Sequence, residues 1–158
     1  MDVIGVKRTI IGAVKDHLMQ STPTARRIDV RSTLDIKYLE RGDDGVVQNN
    51  NAAALAARQT GRMAEFTRQL KHLECFHITD STGQINEGSL LQLEANGEET
   101  CWYFILPCCT GEDFHIAQLG APVTIVSTSA PIIESATSTP TGQEFTVGKT
   151  TYRVVGIF

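Results

Sequence analysis

Residues 123–132 read VTIVSTSAPI, and this stretch decides how the fold is interpreted. Its first four residues are all β-branched, which is typical of a buried strand. Small and hydroxyl residues follow, and then Pro131, which has no backbone N–H to donate to a neighbouring strand. The local pattern therefore predicts a strand that ends in a turn near Ser127.

The sequence around this stretch has the two-residue period of β structure. Leu91, Leu93 and Ala95 alternate with polar residues, which predicts a strand with one apolar and one polar face. Asn96-Gly97 is a strong hairpin signal. Further strands are predicted at 100–106, 114–119, 123–127, 143–147 and 150–157, with a tight turn at Gly148-Lys149. We expect residues 78–158 to form a small antiparallel sheet.

The first half of the chain has a helical period instead. Apolar residues recur at steps of three and four in two stretches, which predicts two helices. The stripes are Ile10, Ile11, Val14 and Leu18 in the first stretch, and Met63, Phe66, Leu70 and Leu73 in the second. The second helix is predicted from about Ala52 to Glu74.

The segment between these helices contains a break and a turn. Pro23 either kinks the first helix or begins a new one, and a weak apolar stripe follows over 25–41. Residues 42–51 read GDDGVVQNNN, which is turn chemistry. Together these features predict an α-helical hairpin over 1–75 with its tip near 42–51.

The charge of the chain is distributed unevenly. Residues 1–78 hold twelve Lys and Arg against nine Asp and Glu, a net +3, whereas residues 79–158 hold two against nine, a net −7. A step of this kind indicates a domain boundary. The acidic half repels phosphates, so we expect basic protein surfaces as partners and no direct sequence-specific binding of nucleic acid.

Several classes of protein and site are disfavoured by the sequence. No run approaches the roughly 18 apolar residues of a membrane span, and no signal-peptide pattern is present, so we expect a cytoplasmic protein. Cys75, Cys101, Cys108 and Cys109 lack metal-ligand spacing, which indicates reduced, mainly apolar cysteines. Nucleophile-elbow, HExxH and phosphate-loop motifs are absent, so we expect a protein that is not itself an enzyme.

The C-terminal residues resemble a known family. Residues 123–132 match the pattern V-x-V-V-S-x-x-S-P-[IL] of the bacterial Gre-type (GreA/GreB) transcription elongation factors, except at Ala130 and at Ile125, which is β-branched like the valine of the pattern. Gly142 and Glu144 follow in the family's register, and the chain closes on YRVVGI like the family's last strand. In the first half, LAARQTGRMAE over 55–65 is similar to the start of the family's second hairpin helix. The chain resembles a divergent member.

The resemblance implies an α+β fold, with an N-terminal antiparallel α-helical coiled-coil hairpin followed by an FKBP-like antiparallel β domain. Gre factors insert the hairpin into the secondary channel of RNA polymerase, where acidic tip residues share a Mg²⁺ ion in the polymerase active site. The carboxylates at the corresponding tip are Asp43, Asp44 and Glu40. By resemblance, Ser129, Pro131 and Ile132 dock on the polymerase. No cofactor of its own is implied.

The chain also departs from the family, and these departures leave alternatives open. Val46 stands where the family has a glutamate, so the tip either stimulates RNA cleavage, binds the channel without cleavage, or is a solvated acidic turn that caps two helices. Residues 133–142 keep the length of the family's segment but not its apolar, glycine and basic residues. An interaction module that no longer acts on polymerase and a peptidyl-prolyl isomerase are the competing functions.

Overall fold

The computed structural model describes residues 1–21, 43–78 and 83–158, and only the helical backbone for 43–52, 55 and 59. Three helices and six strands occur in these ranges. The helices are α1 (Val3–Ser21), α2 (Asp43–Glu74) and α3 (Pro131–Thr137). The strands are β1 (Leu90–Ala95), β2 (Glu99–Ile105), β3 (Asp113–Ile116), β4 (Ala121–Val126), β5 (Glu144–Val147) and β6 (Thr150–Ile157).

The chain divides into two compact units. One unit contains Met1–His17 and Cys75–Phe158, and the other contains Leu18–Glu74. The N-terminal part of α1 is thus grouped with the strands. The predicted domains, 1–75 and 78–158, stay predictions, because residues 22–42 lie outside the described part of the chain.

All six strands belong to one sheet with the order β3-β4-β2-β1-β6-β5. The predicted strands are present, although the one predicted at 114–119 ends at Ile116 and a turn follows it. The prediction of an antiparallel sheet is wrong, because β2 pairs in parallel with β4. The other four pairings are antiparallel. The parallel pair arises from the path of the chain. After β2 the chain forms β3 at the outer edge of the sheet, and then β4 fills the position between β3 and β2. The sheet is therefore mixed.

Buried residues lie on both faces of this sheet. On one face Leu91, Leu93, Ile105 and Val154 form a cluster with two side chains of α3. The opposite face presents Trp102, Phe104, Val123 and Ile125, which pair across β2 and β4 and are all buried. The unit is thus a sheet with an apolar core on each side.

Two contacts place the N-terminal part of α1 on the second face. The His17 and Phe114 rings meet edge to face at 5.6 Å. Phe114 pairs with Val123, whose side chain points to the same face. Gln118 Nε2 donates to Thr9 Oγ1 at 3.3 Å. The predicted stripe of α1 is confirmed, because its four apolar residues are all buried.

The hairpin between β1 and β2 is confirmed at Asn96-Gly97. Both residues have positive φ, 51° and 77°, as a type I′ turn requires. Asn96 also joins the turn to β6, because its backbone N–H donates to the Thr151 carbonyl at 2.7 Å. In return, the N–H of Thr151 donates to Asn96 Oδ1 at 3.2 Å. This turn fixes the register of β1 against β2, and against β6 as far as the register shift between Gln92 and Leu93.

Helix α2 differs from the prediction at its start. It begins at Asp43 and not near Ala52, so the residues predicted as the hairpin turn are largely helical. Aspartates in a first turn are favoured by the helix dipole, which offsets the weak helix propensity of the asparagines. Pro23 and the segment 25–41 lie outside the described residues, so the hairpin stays a prediction. Among the described residues, no helix is both long enough and apolar enough to cross a membrane.

Helix α3 lies where the sequence predicted only a turn. Pro131 occupies its first turn, where a missing N–H breaks no helical hydrogen bond. Ile133 and Ala136 are three residues apart and both buried, so one face of the helix covers the sheet. Alternation and turn residues indicated the end of β4 correctly, but the burial of α3 depends on the sheet beneath it.

Candidate functional site

The sheet face beneath α3 is only partly covered. Side chains on this face follow from the strand register, because Tyr103 pairs with Leu91 and Thr124, and Cys101 pairs with Leu93. Tyr152 pairs with Ala95 and Phe145. We call five half-buried residues of this face the aromatic surface: Cys101, Tyr103, Thr124, Phe145 and Tyr152. Each of these side chains is exposed enough to contact a partner and buried enough to keep a fixed position.

The aromatic rings of this surface are ordered by mutual contact. The Phe145 and Tyr152 rings stack with centroids 5.7 Å apart and planes inclined by 25°. Burial, followed by the neighbouring Tyr152 and Cys101 side chains, raises the pKa of the Tyr103 phenol well above its ordinary value. The phenol is therefore neutral at physiological pH. The surface combines flat apolar area with hydroxyl groups, the combination that protein interfaces favour.

Two carboxylates lie on the same face of the sheet. Glu99 pairs with Ala95 and Asp113 pairs with Thr124, and both acids are exposed. Thr124 Oγ1 donates to Asp113 Oδ1 at 2.6 Å. After burial, the charge of Glu99 is the next cause that raises the pKa of the Cys101 thiol, which indicates that this carboxylate lies near the surface. The aromatic surface thus has an acidic rim.

No Lys or Arg of the six strands lies on this face. Arg153 is the one Lys or Arg in the six strands, all of which are described, and it belongs to the opposite face. There it is bonded to Glu94 and lies across from Glu144. The acidic rim is therefore complementary to a partner with basic side chains.

The three residues predicted to dock on polymerase lie at the start of α3. Ser129 and Pro131 are exposed, and Ile132 is half-buried. Ile132 packs against the same buried cluster as Tyr103 and Tyr152. The structure therefore places Ile132 and the aromatic surface at the margin of one core. Ser129 Oγ lies 3.1 Å from Ser127 Oγ, which orders the turn.

The tip residues are described less completely. Asp43 and Asp44 are the first two residues of α2, and only their backbone is described. Glu40 lies outside the described residues. Within the described ranges, no group of three or more His, Cys, Asp or Glu side chains is arranged to hold a metal ion. The roles of Asp43, Asp44 and Glu40 stay predictions.

The sequence pattern did not predict the aromatic surface. Tyr103, Phe145 and Tyr152 stand in predicted strands, and their residue types alone do not distinguish a core position from a half-exposed one. The alternation in β5 and β6 placed Phe145 and Tyr152 on one face, which was the available signal. The alternation of residues along the strands does not show that α3 covers only part of this face.

The solved structures that are similar to this chain include three Gfh1 structures. The chain matches no protein-family model, and no curated protein matches it. A structure of the transcription factor Gfh1 is 19% identical with a TM-score of 0.35, covering 92% of this chain and 93% of that one. GreA factor homolog 1 of Thermus thermophilus is 18% identical with a TM-score of 0.34, covering 91% and 94%. Thermus aquaticus Gfh1 is 19% identical with a TM-score of 0.32, covering 92% and 94%. TM-scores this low do not establish a shared fold.

Proposed function

We propose that this chain is a Gre-like transcription factor that binds RNA polymerase through the secondary channel and modulates transcription, without being an enzyme itself. One observation supports this proposal most directly. The segment 123–132, which resembles the family's C-terminal motif, forms β4 and the turn into α3, and it presents Ser129, Pro131 and Ile132 together.

The aromatic surface suits the docking step of this function. Its rings supply apolar area, and Glu99 and Asp113 supply negative charge on a face that contains no strand Lys or Arg. A partner surface with basic side chains around an apolar centre would be complementary to both the apolar area and the negative charge. Charges at the rim of an interface mainly raise the association rate and fix orientation, and salt weakens their effect.

The acidic tip is proposed to act inside the channel. Asp43 and Asp44 are adjacent carboxylates at the start of α2, and Glu40 precedes them along the chain. Carboxylate oxygens are the ligands that Mg²⁺ prefers, so these residues could share an ion that the polymerase already holds. That ion would help to polarise the attacking water in RNA hydrolysis.

Binding to purified core RNA polymerase tests the proposal. We expect saturable binding that a known secondary-channel factor displaces and that weakens as salt is raised. Glu99→Lys reverses one rim charge, so it should reduce binding several-fold at low salt and less at high salt. Glu144→Lys makes the same change on the opposite face and is the matched control.

The outcomes separate the alternatives. Binding that Glu99→Lys and Glu144→Lys weaken equally would refute the assigned surface while keeping the polymerase as partner. Absence of binding at tens of micromolar would overturn the proposal and favour an interaction module with another partner. If binding is seen, cleavage of RNA in a backtracked complex by the wild type and by Asp43→Asn with Asp44→Asn decides between stimulation and simple occupation of the channel.

A further inference from the structure

Two adjacent cysteines lie in the turn that follows β2. The Cys108 side chain is 3% exposed, and Cys109 is half-buried. Cys109 has φ of 54°, a left-handed conformation that disfavours residues with a Cβ atom. Non-glycine residues in such conformations are destabilising, and they are concentrated at functional positions. In this turn, a cysteine with a strained backbone therefore follows a cysteine that is buried.

The two thiols interact with each other. Burial is the main cause that raises the pKa of Cys108 to about 12, and the neighbouring Cys109 thiol is the next. Burial also raises the pKa of Cys109, whereas its interaction with Cys108 lowers it. Both thiols are therefore protonated at neutral pH, and Cys109 is the more easily ionised and the more accessible of the two. A metal site is disfavoured, because within the described residues these thiols belong to no group of three or more His, Cys, Asp or Glu side chains arranged to hold an ion.

We propose that Cys108 and Cys109 form a dithiol that a low-molecular-weight disulfide oxidises to a disulfide bond between these adjacent residues. The Cys109 thiolate attacks one sulfur of the small disulfide, forms a mixed disulfide and releases one thiol. Cys108 then loses its proton, and its sulfur attacks Cys109 Sγ and displaces the second thiol. Two electrons and two protons pass from the protein to the small disulfide, which leaves as two thiols.

The geometry indicates a bond that is readily reduced again. Adjacent Cα atoms in a trans peptide are about 3.8 Å apart, below the roughly 4.4–6.8 Å usual for disulfides. Strained disulfides are more oxidising and are typical of labile or regulatory bonds. Oxidation and reduction should therefore interconvert under mild thiol–disulfide buffers.

The turn transmits a change at Cys109 to β4. The Glu112 N–H donates to the Cys109 carbonyl at 3.2 Å, and the Glu112 carbonyl accepts from the Ile125 N–H at 2.9 Å. Gly111 also donates to the Ile125 carbonyl at 2.8 Å. Ring closure must rotate the backbone at Cys109. We therefore expect amide exchange at Glu112 and Ile125 to quicken on oxidation.

The test uses the full chain with Cys75→Ser, which removes an exposed thiol. The protein is incubated with oxidised glutathione, digested and analysed by mass spectrometry. The peptide containing Cys108 and Cys109 should lose two hydrogens without keeping glutathione, and reduced glutathione should restore it. A lasting glutathione adduct on this peptide, or no reaction over hours in excess oxidised glutathione, would overturn the proposal.

Two single variants test the order of attack. Cys108→Ser should accumulate one glutathione on Cys109, because no second thiol can displace it. Cys109→Ser should remain unmodified at Cys108, which is almost fully buried. Equal modification of the two variants would contradict the assigned order. Trp102 fluorescence reports whether each variant is folded, and the measurement on the chain that retains both cysteines does not depend on either variant.

Discussion

Two ionisable side chains of the sheet unit are held neutral by their surroundings. Burial raises the pKa of Cys108 to about 12 and raises that of Tyr103 well above its ordinary value of 10.0. Each group must ionise at a lower pH in the unfolded chain than in the folded one. Between those two values the unfolded state binds fewer protons, so stability falls as pH rises.

This difference predicts alkaline destabilisation that depends on Cys108. The contribution of the thiol is complete below pH 9.0 and is lost as the pH approaches about 12. For the thiol, this slope is at most about 1.4 kcal/mol per pH unit in that window. Urea unfolding under reducing conditions should show a smaller alkaline loss for Cys108→Ala than for the wild type. Thr110→Ala in the same turn is the control, and an unchanged slope in Cys108→Ala would contradict the explanation.

Helix α3 is an element whose stability comes from packing. It has only seven residues, and its N-cap residue, Ala130, makes no side-chain capping bond. Isolated helices of this length are not stable in water. Ile133 and Ala136 hold the helix by joining the cluster of Leu91 and Val154.

Removal of the Ile133 side chain should therefore destabilise the whole unit. Ile133 is 1% exposed, and truncation of a buried isoleucine to alanine costs about 2–5 kcal/mol. We expect Ile133→Ala to lower the free energy of unfolding by this amount in urea titrations. Glu134→Ala changes an exposed position of the same helix and should cost less than about 0.5 kcal/mol. Similar costs for the two variants would refute the packing of α3.

At the scale of the whole molecule, α1 belongs to both units. Its residues up to His17 are grouped with the sheet, and its remaining residues are grouped with α2. Val6, Ile10 and Val14 are buried in the first part. The strands and the start of the chain should therefore unfold together, although they are far apart in sequence.

The chain's single tryptophan makes this prediction measurable. Trp102 is buried in β2, so its fluorescence reports on the sheet. Ile10→Ala should shift the Trp102 unfolding transition by about 2–5 kcal/mol, because Ile10 is fully buried. Met19→Ala, at an exposed position of the same helix, should leave it nearly unchanged. If Ile10→Ala leaves the unfolding transition of Trp102 fluorescence unchanged, this result would instead support a separate helical domain over 1–75.

The sequence predicted the features that depend on neighbours along the chain. Asn96-Gly97 formed the expected turn, and Leu91, Leu93 and Ala95 faced one core, since turn chemistry and side-chain alternation are local. The predictions that failed depend on distant residues or on competing local preferences. The aspartates at 43 and 44 suggested a turn but lie in a helix, because a helix start also favours acidic residues.

By itself, the sequence determined where the strands lie, which faces are apolar and where charge is concentrated, because period and composition are local quantities. Only the tertiary structure decided that β2 and β4 run parallel, that α3 covers part of one face, and that Tyr103, Phe145 and Tyr152 remain half-exposed beside Glu99. These outcomes depend on which strands pair and how much area a short helix covers. Such choices follow from the packing of residues that are distant in the chain.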